Sequence, residues 1–134
     1  MTPEAIEAHC LSLPAAMLSI QWGGTHVFKV GGKIFAIAGL GGGGGPPRYS
    51  FKASDMAFEL LIEQGLARPA PYLQRAKWVQ LFSIEALTDH EIAAYLAQAY
   101  ALIAARLTRA VKRELGLGQD EAAVRSSRPR PGPG

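Results

Sequence analysis

Short apolar runs separated by glycines occupy the first part of the chain and predict antiparallel strands. Residues 17–22, MLSIQW, are predicted to form the first strand. The runs HVFKV and KIFAI flank Gly31-Gly32, and two glycines supply the positive φ angles of a tight hairpin turn. A further strand is predicted over residues 48–52, RYSFK, with Tyr49 and Phe51 on one face because successive side chains alternate.

The glycine turn of this hairpin also predicts which side chains share a face of the sheet. A two-residue loop places Val30 opposite Lys33 and Phe28 opposite Phe35. The face that carries both phenylalanines is predicted to be the core, and it comprises His26, Phe28, Phe35 and Ile37. The face that carries a lysine is predicted to be exposed, and it comprises Val27, Lys29, Ile34 and Ala36.

The two ends of the folded body have the sequence signals of helices. Residues 3–13 follow a suitable N-cap, Thr2, and are predicted to form the first helix. Thr88 and Glu91 form a T-x-x-E capping box that opens the longest helix, which is predicted to continue to Leu115. Its apolar positions keep the helical period, and they are Ile92, Leu96, Ala99, Ile103 and Leu107.

A shorter helix and a last strand are predicted between these regions. Ser54 is a suitable N-cap for a helix whose apolar stripe, Met56 and Leu60, is predicted to face the core. Residues 66–76 contain prolines and are predicted to form a loop, and residues 77–82 are predicted to form a strand. The predicted order is therefore α-β-β-β-β-α-β-α, which corresponds to an α+β fold with an antiparallel sheet.

The run GLGGGGGPP at residues 39–47 contains the pattern G-x-G-x-x-G, which is typical of phosphate-binding loops. Gly39, Gly41 and Gly44 satisfy the pattern, but five consecutive glycines satisfy any spacing. A dinucleotide-binding loop follows a strand and opens a helix, whereas Pro46-Pro47 and another strand follow here. The run is therefore predicted to be a spacer between two strands.

Length and charge indicate one domain and a tail. A chain of 134 residues has the size of one domain, which we place at residues 1–116. Residues 117–134 form an Arg-, Pro- and Gly-rich tail that is predicted to be disordered. The net charge of +3 comes from the last ten residues, so residues 1–124 are neutral. Residues 26–82 carry seven basic and three acidic side chains, so a modestly basic middle lies between acidic ends.

Candidate catalytic and metal-binding residues are few. Cys10 is the single cysteine and is predicted to be a buried apolar residue of the first helix. His9, His26 and His90 fall on separate elements without metal-ligand spacing. No catalytic motif, membrane-spanning apolar run or signal peptide is recognisable. We therefore expect a cytoplasmic protein that is not an enzyme, uses no cofactor or metal, and has no membrane partner.

Several motifs resemble the MmcQ/YjbR family of small bacterial proteins. They are W-G-G-x-x-V-F-K-V-G-G-K-I-F-A at residues 22–36, P-P-R-Y-S-F-K at residues 46–52, and P-A-P-Y-L followed by Trp78. The end of the last helix, AYALIAARL, also resembles that family, and the resemblance covers about residues 2–107. It implies a two-layer α+β fold similar to the frataxin-like and secretion-chaperone-like architectures. Members of the family are usually described as DNA-binding, and the resemblance supplies no catalytic residues.

The resemblance and the basic middle together favour a non-enzymatic protein that binds double-stranded DNA. The cations of the exposed sheet face and the adjoining loops would contact phosphates. Trp78 would stack on a base unless it packs in or beside the core. The predicted interface consists of Lys29, Lys33, Arg48, Lys52, Arg75, Lys77 and Trp78.

The alternative is a module that binds a protein or a small ligand, that can dimerise, and that has no nucleic-acid role. The features that favour it are the neutral body, the apolar content of 49%, and Leu40 and Leu66 beside predicted loops. It predicts an exposed apolar patch or extensive self-contact.

Overall fold

The computed structural model describes residues 1–21, 23–39, 48–71 and 76–117. A 3-10 turn, Ile84–Ala86, precedes the third helix. The helices are α1 (Pro3–Ser12), α2 (Asp55–Glu63), α3 (Asp89–Ala104) and α4 (Arg109–Glu114). The strands are β1 (Met17–Gln21), β2 (Thr25–Val30), β3 (Lys33–Gly39), β4 (Arg48–Lys52), β5 (Ala67–Pro69) and β6 (Trp78–Leu81).

All described strands belong to one antiparallel sheet in the order β1-β2-β3-β4-β6-β5. The buried residues of α1, α2 and α3 join one apolar cluster with alternate residues of the strands. The three helices therefore cover one face of the sheet, which we call the helical face. Within the described ranges the core cluster places none of α1, α2 and α3 on the opposite face. The fold is α+β with two layers, as the sequence predicted.

The core lies between α3 and the middle strands. The Tyr100 ring contacts Phe35 edge-on at 5.5 Å, and the Tyr95 ring stacks on Phe51 at 5.9 Å between centroids. Such aromatic contacts add to the free energy gained by burying apolar area. All the apolar positions predicted for the long helix are buried, and they are Ile92, Leu96, Ala99, Ile103 and Leu107.

A β-bulge in the hairpin makes part of the predicted register wrong. Val30 pairs with Lys33 as predicted, but the register then shifts and Phe28 pairs with Ala36 instead of Phe35. A bulge inserts one residue into a strand, so the alternation of side chains changes phase beyond it. Phe35 and Ala36 are consequently both in the core. Ile37 now pairs with Val27, and neither side chain belongs to the core cluster. Val27 is nevertheless completely buried, so the prediction that it is exposed is wrong.

Helix α2 packs through a different stripe from the predicted one. Ser54 caps it by accepting a hydrogen bond from the Ala57 amide at 3.1 Å, as predicted. The residues that enter the core are Ala57 and Leu61. The prediction for Met56 is wrong, since its side chain is 80% exposed, and Leu60 is exposed as well. A segment rich in apolar residues contains more than one helical stripe, and the sequence alone does not choose between them.

Strand β5 lies where the sequence predicted a loop. It pairs with β6, with Ala67 opposite Leu81 and Pro69 opposite Val79. Proline cannot donate a backbone hydrogen bond, but this matters little in an edge strand. The prediction of a loop is therefore wrong for residues 67–69.

The long C-terminal helix is also divided. Instead of continuing to Leu115, α3 ends at Ala104, and Thr108 caps a separate helix, α4. The Thr108 hydroxyl accepts a hydrogen bond from the Val111 amide at 3.2 Å, which is a local alternative to continuing the helix. Gly31 lies against this region, because a Cβ added there would lie 2.7 Å from a methyl carbon of Leu107.

Within the described residues no helix is long and apolar enough to cross a bilayer, and α3, the longest, has 16 residues. The glycine spacer, apart from Gly39, and residues 118–134 of the predicted tail lie outside the described residues. The predicted boundary between domain and tail at residue 116 stays a prediction.

Candidate nucleic-acid interface

Acidic and basic side chains are sorted between the two layers of the fold. Strands β1–β6 contain no Asp or Glu, and their cations are Lys29, Lys33, Arg48, Lys52 and Arg68. Helices α1, α2 and α3 and the 3-10 turn contain no Lys or Arg, and their acids are Glu4, Glu7, Asp55, Glu59, Glu63, Glu85, Asp89 and Glu91. In the described part of the chain, none of the strand cations forms an ion pair. Positive charge is thus concentrated on the sheet and is not neutralised within it.

One row of side chains crosses the whole sheet on the face opposite the helices. The strand register joins Ser19, Val27, Ile37, Ser50, Gln80 and Arg68 in that order. None of them belongs to the core cluster, so the row defines the second face of the sheet, which we call the open face because α1, α2 and α3 do not cover it. Within this row Val27 and Ser50 are nevertheless buried, so access to the face is uneven. Strand alternation places Lys29, Arg48 and Lys52 on the same face.

A hydrogen-bonded ladder fixes the end of this row near the sheet edge. The Arg68 guanidinium donates from Nε and Nη2 to Gln80 Oε1 at 3.0 and 2.8 Å. Gln80 Nε2 in turn donates to Ser50 Oγ at 3.5 Å. A guanidinium carries five N–H donors, so Arg68 keeps donors for an anion after these two bonds. Arg68 is absent from the interface predicted from sequence, because residues 67–69 were not predicted to be a strand beside β6.

The predicted interface cations differ in how accessible they are. Arg48 is exposed and Lys29 is half-buried on the open face. Lys33 is exposed at the hairpin end, but its partner Val30 is a core residue, so its side chain belongs to the helical face. The structure therefore brings two of these three cations to one surface.

Lys52 has an unusual environment for a lysine. Its residue is 7% exposed, and its Nζ donates a hydrogen bond to the carbonyl oxygen of Ala76. Burial lowers the pKa of this ammonium below its usual range, and the positive charge of Arg106 lowers the pKa further. Asp55 raises the pKa and Lys77 lowers it, both with smaller effects. Lys52 is thus not presented to solvent.

The remaining residues of the predicted interface, Arg75, Lys77 and Trp78, are close to the start of β6 in the sequence. Lys77 adopts a positive φ of 61°, and its Nζ lies 4.9 Å from the centre of the Phe58 ring, a cation–π contact. Trp78 is 6% exposed and pairs with Lys52, so its ring is not a free stacking platform in this conformation. Arg75 lies outside the described residues.

A second group of cations, which is absent from the predicted interface, lies at the hairpin end of the sheet. Contacts from Gly31 to Leu107 and Val111 bring α4 beside the β2–β3 turn. This group consists of Arg106, Arg109, Lys112 and Arg113. A helix break predicted at Thr108 would have indicated a separate, cation-rich helix here.

Cys10, His9 and His26 each lie in a defined environment of the fold. Cys10 is completely buried, as predicted, and burial followed by the charge of Glu7 raises the pKa of its thiol to about 12. His9 Nε2 lies 3.1 Å from the carbonyl oxygen of Ala93, and His26 Nδ1 lies 2.9 Å from Glu7 Oε1. Among the described residues, no group of three or more His, Cys, Asp or Glu side chains could hold a metal ion.

Comparison with known proteins decides the family. The family model for YjbR matches residues 11–102, which is more than half of the chain. The chain belongs to the YjbR family. The resemblance inferred from the sequence motifs is therefore confirmed.

A solved structure supports the fold of this YjbR chain. The crystal structure of Deinococcus radiodurans protein DR2400, described as a DUF419 domain, is similar with a TM-score of 0.74 and 22% sequence identity. The similarity covers 90% of the YjbR chain and 93% of that protein. At this identity the likeness establishes the fold alone. No curated protein matches the chain.

Proposed function

We propose that the protein binds double-stranded DNA, without catalysing a reaction, through the open face of its sheet. The observation that carries the proposal is the sorting of charge between the layers. The acids lie on the helical layer, whereas the only charged side chains of the strands are cations. Phosphate contacts from Lys and Arg supply most of the affinity of non-specific DNA binding. A neutral body can therefore bind a polyanion when its positive charges share one face.

The proposed phosphate contacts are Lys29, Arg48 and Arg68. Arg48 is exposed, and the Gln80 amide holds the Arg68 guanidinium in a fixed orientation. Contacts of this kind to the DNA phosphates position a protein on the duplex without any contact to the base edges. In this proposal Lys52 and Trp78 are buried members of the open face that contact no phosphate, and Lys33 with the cations near α4 extends the surface at the hairpin end.

Absence of catalysis is part of the proposal. Cys10 is buried with a raised thiol pKa, so it is a poor nucleophile. The rings of His9 and His26 are each engaged by a neighbouring acceptor within the fold. What remains available on the surface of the sheet is charge and hydrogen-bond donors, which suit binding.

The test is fluorescence anisotropy of labelled duplex DNA at several salt concentrations. Lys29→Gln with Arg48→Gln removes two cations of the open face. We expect this double variant to weaken binding by about tenfold or more at about 0.1 M salt. The slope of log affinity against log salt should fall by about 0.9 for each lost phosphate contact.

The matched control is Gln64→Glu with Gln98→Glu. Both glutamines are exposed on the helical layer, and the double change lowers the net charge by the same amount. Equal weakening by both double variants would reduce the effect to net charge and would contradict binding by the open face. Parent-like binding by Lys29→Gln with Arg48→Gln would contradict it too.

Self-association is a second candidate function, favoured by the edge strand β1. Its sequence, MLSIQ, has no charged side chain, and Met17 and Ile20 are exposed. Edge strands of monomeric proteins are usually protected by charges, prolines or bulges, because their free backbone groups can pair with another chain. Pairing of two β1 strands would extend the sheet and its open face across a dimer.

Sedimentation velocity on the parent chain and on Ile20→Lys tests this candidate. A charge at the edge should shift a dimer towards monomer, since a lysine on an edge strand opposes pairing with another chain. A parent chain that is monomeric at the highest concentration measured would exclude the dimer. A dimer that Ile20→Lys leaves unchanged would place the interface elsewhere.

A further inference from the structure

A cleft with a volume of about 270 Å³ lies between α1 and the helical face of the sheet. Its sheet wall is a cross-strand row in which Ala38 pairs with both His26 and Tyr49. Its helix wall includes Glu4 and Glu7, which are three residues apart and therefore neighbours on α1. The remaining lining residues are Pro3, Ile6, Gly24 and Phe28.

The lining combines an apolar floor with negative charge at the rim. Ile6 and Phe28 are core residues, so the floor is apolar. Glu7 is engaged by His26, whereas Glu4 forms no ion pair or hydrogen bond among the described residues. Among the residues that the structure describes, no Lys or Arg lines the cleft. The free Glu4 carboxylate is thus its principal charged group.

Tyr49 provides an independent sign that the cleft is built for an occupant. The residue is 8% exposed, yet its hydroxyl has no hydrogen-bond partner within the described part of the chain. The Tyr100 hydroxyl, in contrast, donates a hydrogen bond to the carbonyl oxygen of Pro14 at 2.5 Å. Leaving a buried hydroxyl unsatisfied costs about 1–3 kcal/mol, so such groups usually have a partner.

We propose that this cleft binds a small organic cation, an ammonium group on a compact apolar body. The Glu4 carboxylate and the Tyr49 hydroxyl oxygen accept hydrogen bonds from the ammonium, which has donors and no acceptor. The apolar body packs on Ile6, Phe28 and Ala38. The site lies on the helical face, so it is separate from the proposed DNA-binding surface and does not depend on it.

The test uses benzylammonium as the probe and benzyl alcohol as its neutral counterpart. The full-length ¹⁵N-labelled chain is titrated with each at constant ionic strength, and amide shifts are followed by NMR. We expect saturable shifts at Gly24, His26 and Ala38 for benzylammonium, and affinity about tenfold weaker for benzyl alcohol. Equal affinities for the two probes, or shifts that do not saturate, would overturn the proposal.

Variants of Glu4 and Tyr49 test their proposed contacts with the ammonium group. Glu4→Gln should weaken benzylammonium binding by about fivefold, in line with a partly exposed ion pair worth about 1 kcal/mol. Tyr49→Phe should also weaken it, by about threefold, and its thermal unfolding is measured because the residue is buried. Glu63→Gln, a carboxylate on α2 outside the cleft, should bind like the parent. Unchanged binding by Glu4→Gln, an exposed and structurally tolerant position, would refute the site independently of Tyr49.

Discussion

Lys52 shows how a single buried ammonium couples stability to pH. Burial lowers its pKa in the folded protein, whereas a lysine of the unfolded chain titrates near about 10.4. Between those two values the unfolded state binds more protons than the folded state, so the free energy of unfolding rises with pH. Below the lowered pKa the destabilising contribution is present in full, and it is relieved as the pH approaches about 10.4.

Lys52→Met removes this pH-dependent contribution. We expect the parent chain to gain stability relative to Lys52→Met as the pH rises from about 7 towards 10.4, measured by urea unfolding at each pH. The loss of the hydrogen bond to Ala76 affects the variant equally at every pH, so it does not change the slope. Lys33→Met, at an exposed position, is the control and should follow the parent. Parallel pH profiles for the parent and Lys52→Met would contradict a lowered pKa.

At the level of a single element, helix α2 has two candidate core-facing stripes, and substitutions in them should affect stability differently. Leu61→Ala should lower the free energy of unfolding by about 2–5 kcal/mol, since the side chain is completely buried in the core. Met56→Ala should change it by less than about 0.5 kcal/mol, since that side chain is exposed. Urea unfolding of both variants shows which stripe of α2 is buried, and the reverse ranking would support the stripe that the sequence predicted.

The elements that the sequence predicted well carry their own local signals. Thr88 and Glu91 form the expected capping box, and Gly31-Gly32 forms the expected turn with φ angles of 58° and 81°. Features that depend on neighbouring strands were not predictable in this way. The bulge between Phe28 and Lys29 and the edge position of β5 are set by how strands pair, which a single segment does not encode.

For the whole molecule, charge counted along the sequence does not show that acids and cations lie in different layers of the fold. Counting by segment gave a modestly basic middle, because α2 contributes Asp55, Glu59 and Glu63 to the same stretch. Counting by layer separates those acids from the strands and leaves only cations on the sheet. The predicted interface was thus partly accessible from sequence. The accessibility of Arg48, the burial of Lys52 and the ladder through Arg68 required the sheet order.

A chain shortened to end at Val124 separates the folded body from the tail in DNA binding. The change removes Arg125, Arg128 and Arg130 and leaves a net charge of zero. Because charge is sorted between the layers, we expect the shortened chain to keep salt-dependent binding to duplex DNA, measured by anisotropy. Its salt slope should fall by at most about 2.7, the share of three phosphate contacts. Lys29→Gln with Arg48→Gln should weaken the shortened chain as it weakens the full chain. If binding disappears with the tail, three arginines account for it and the sheet is not the binding surface.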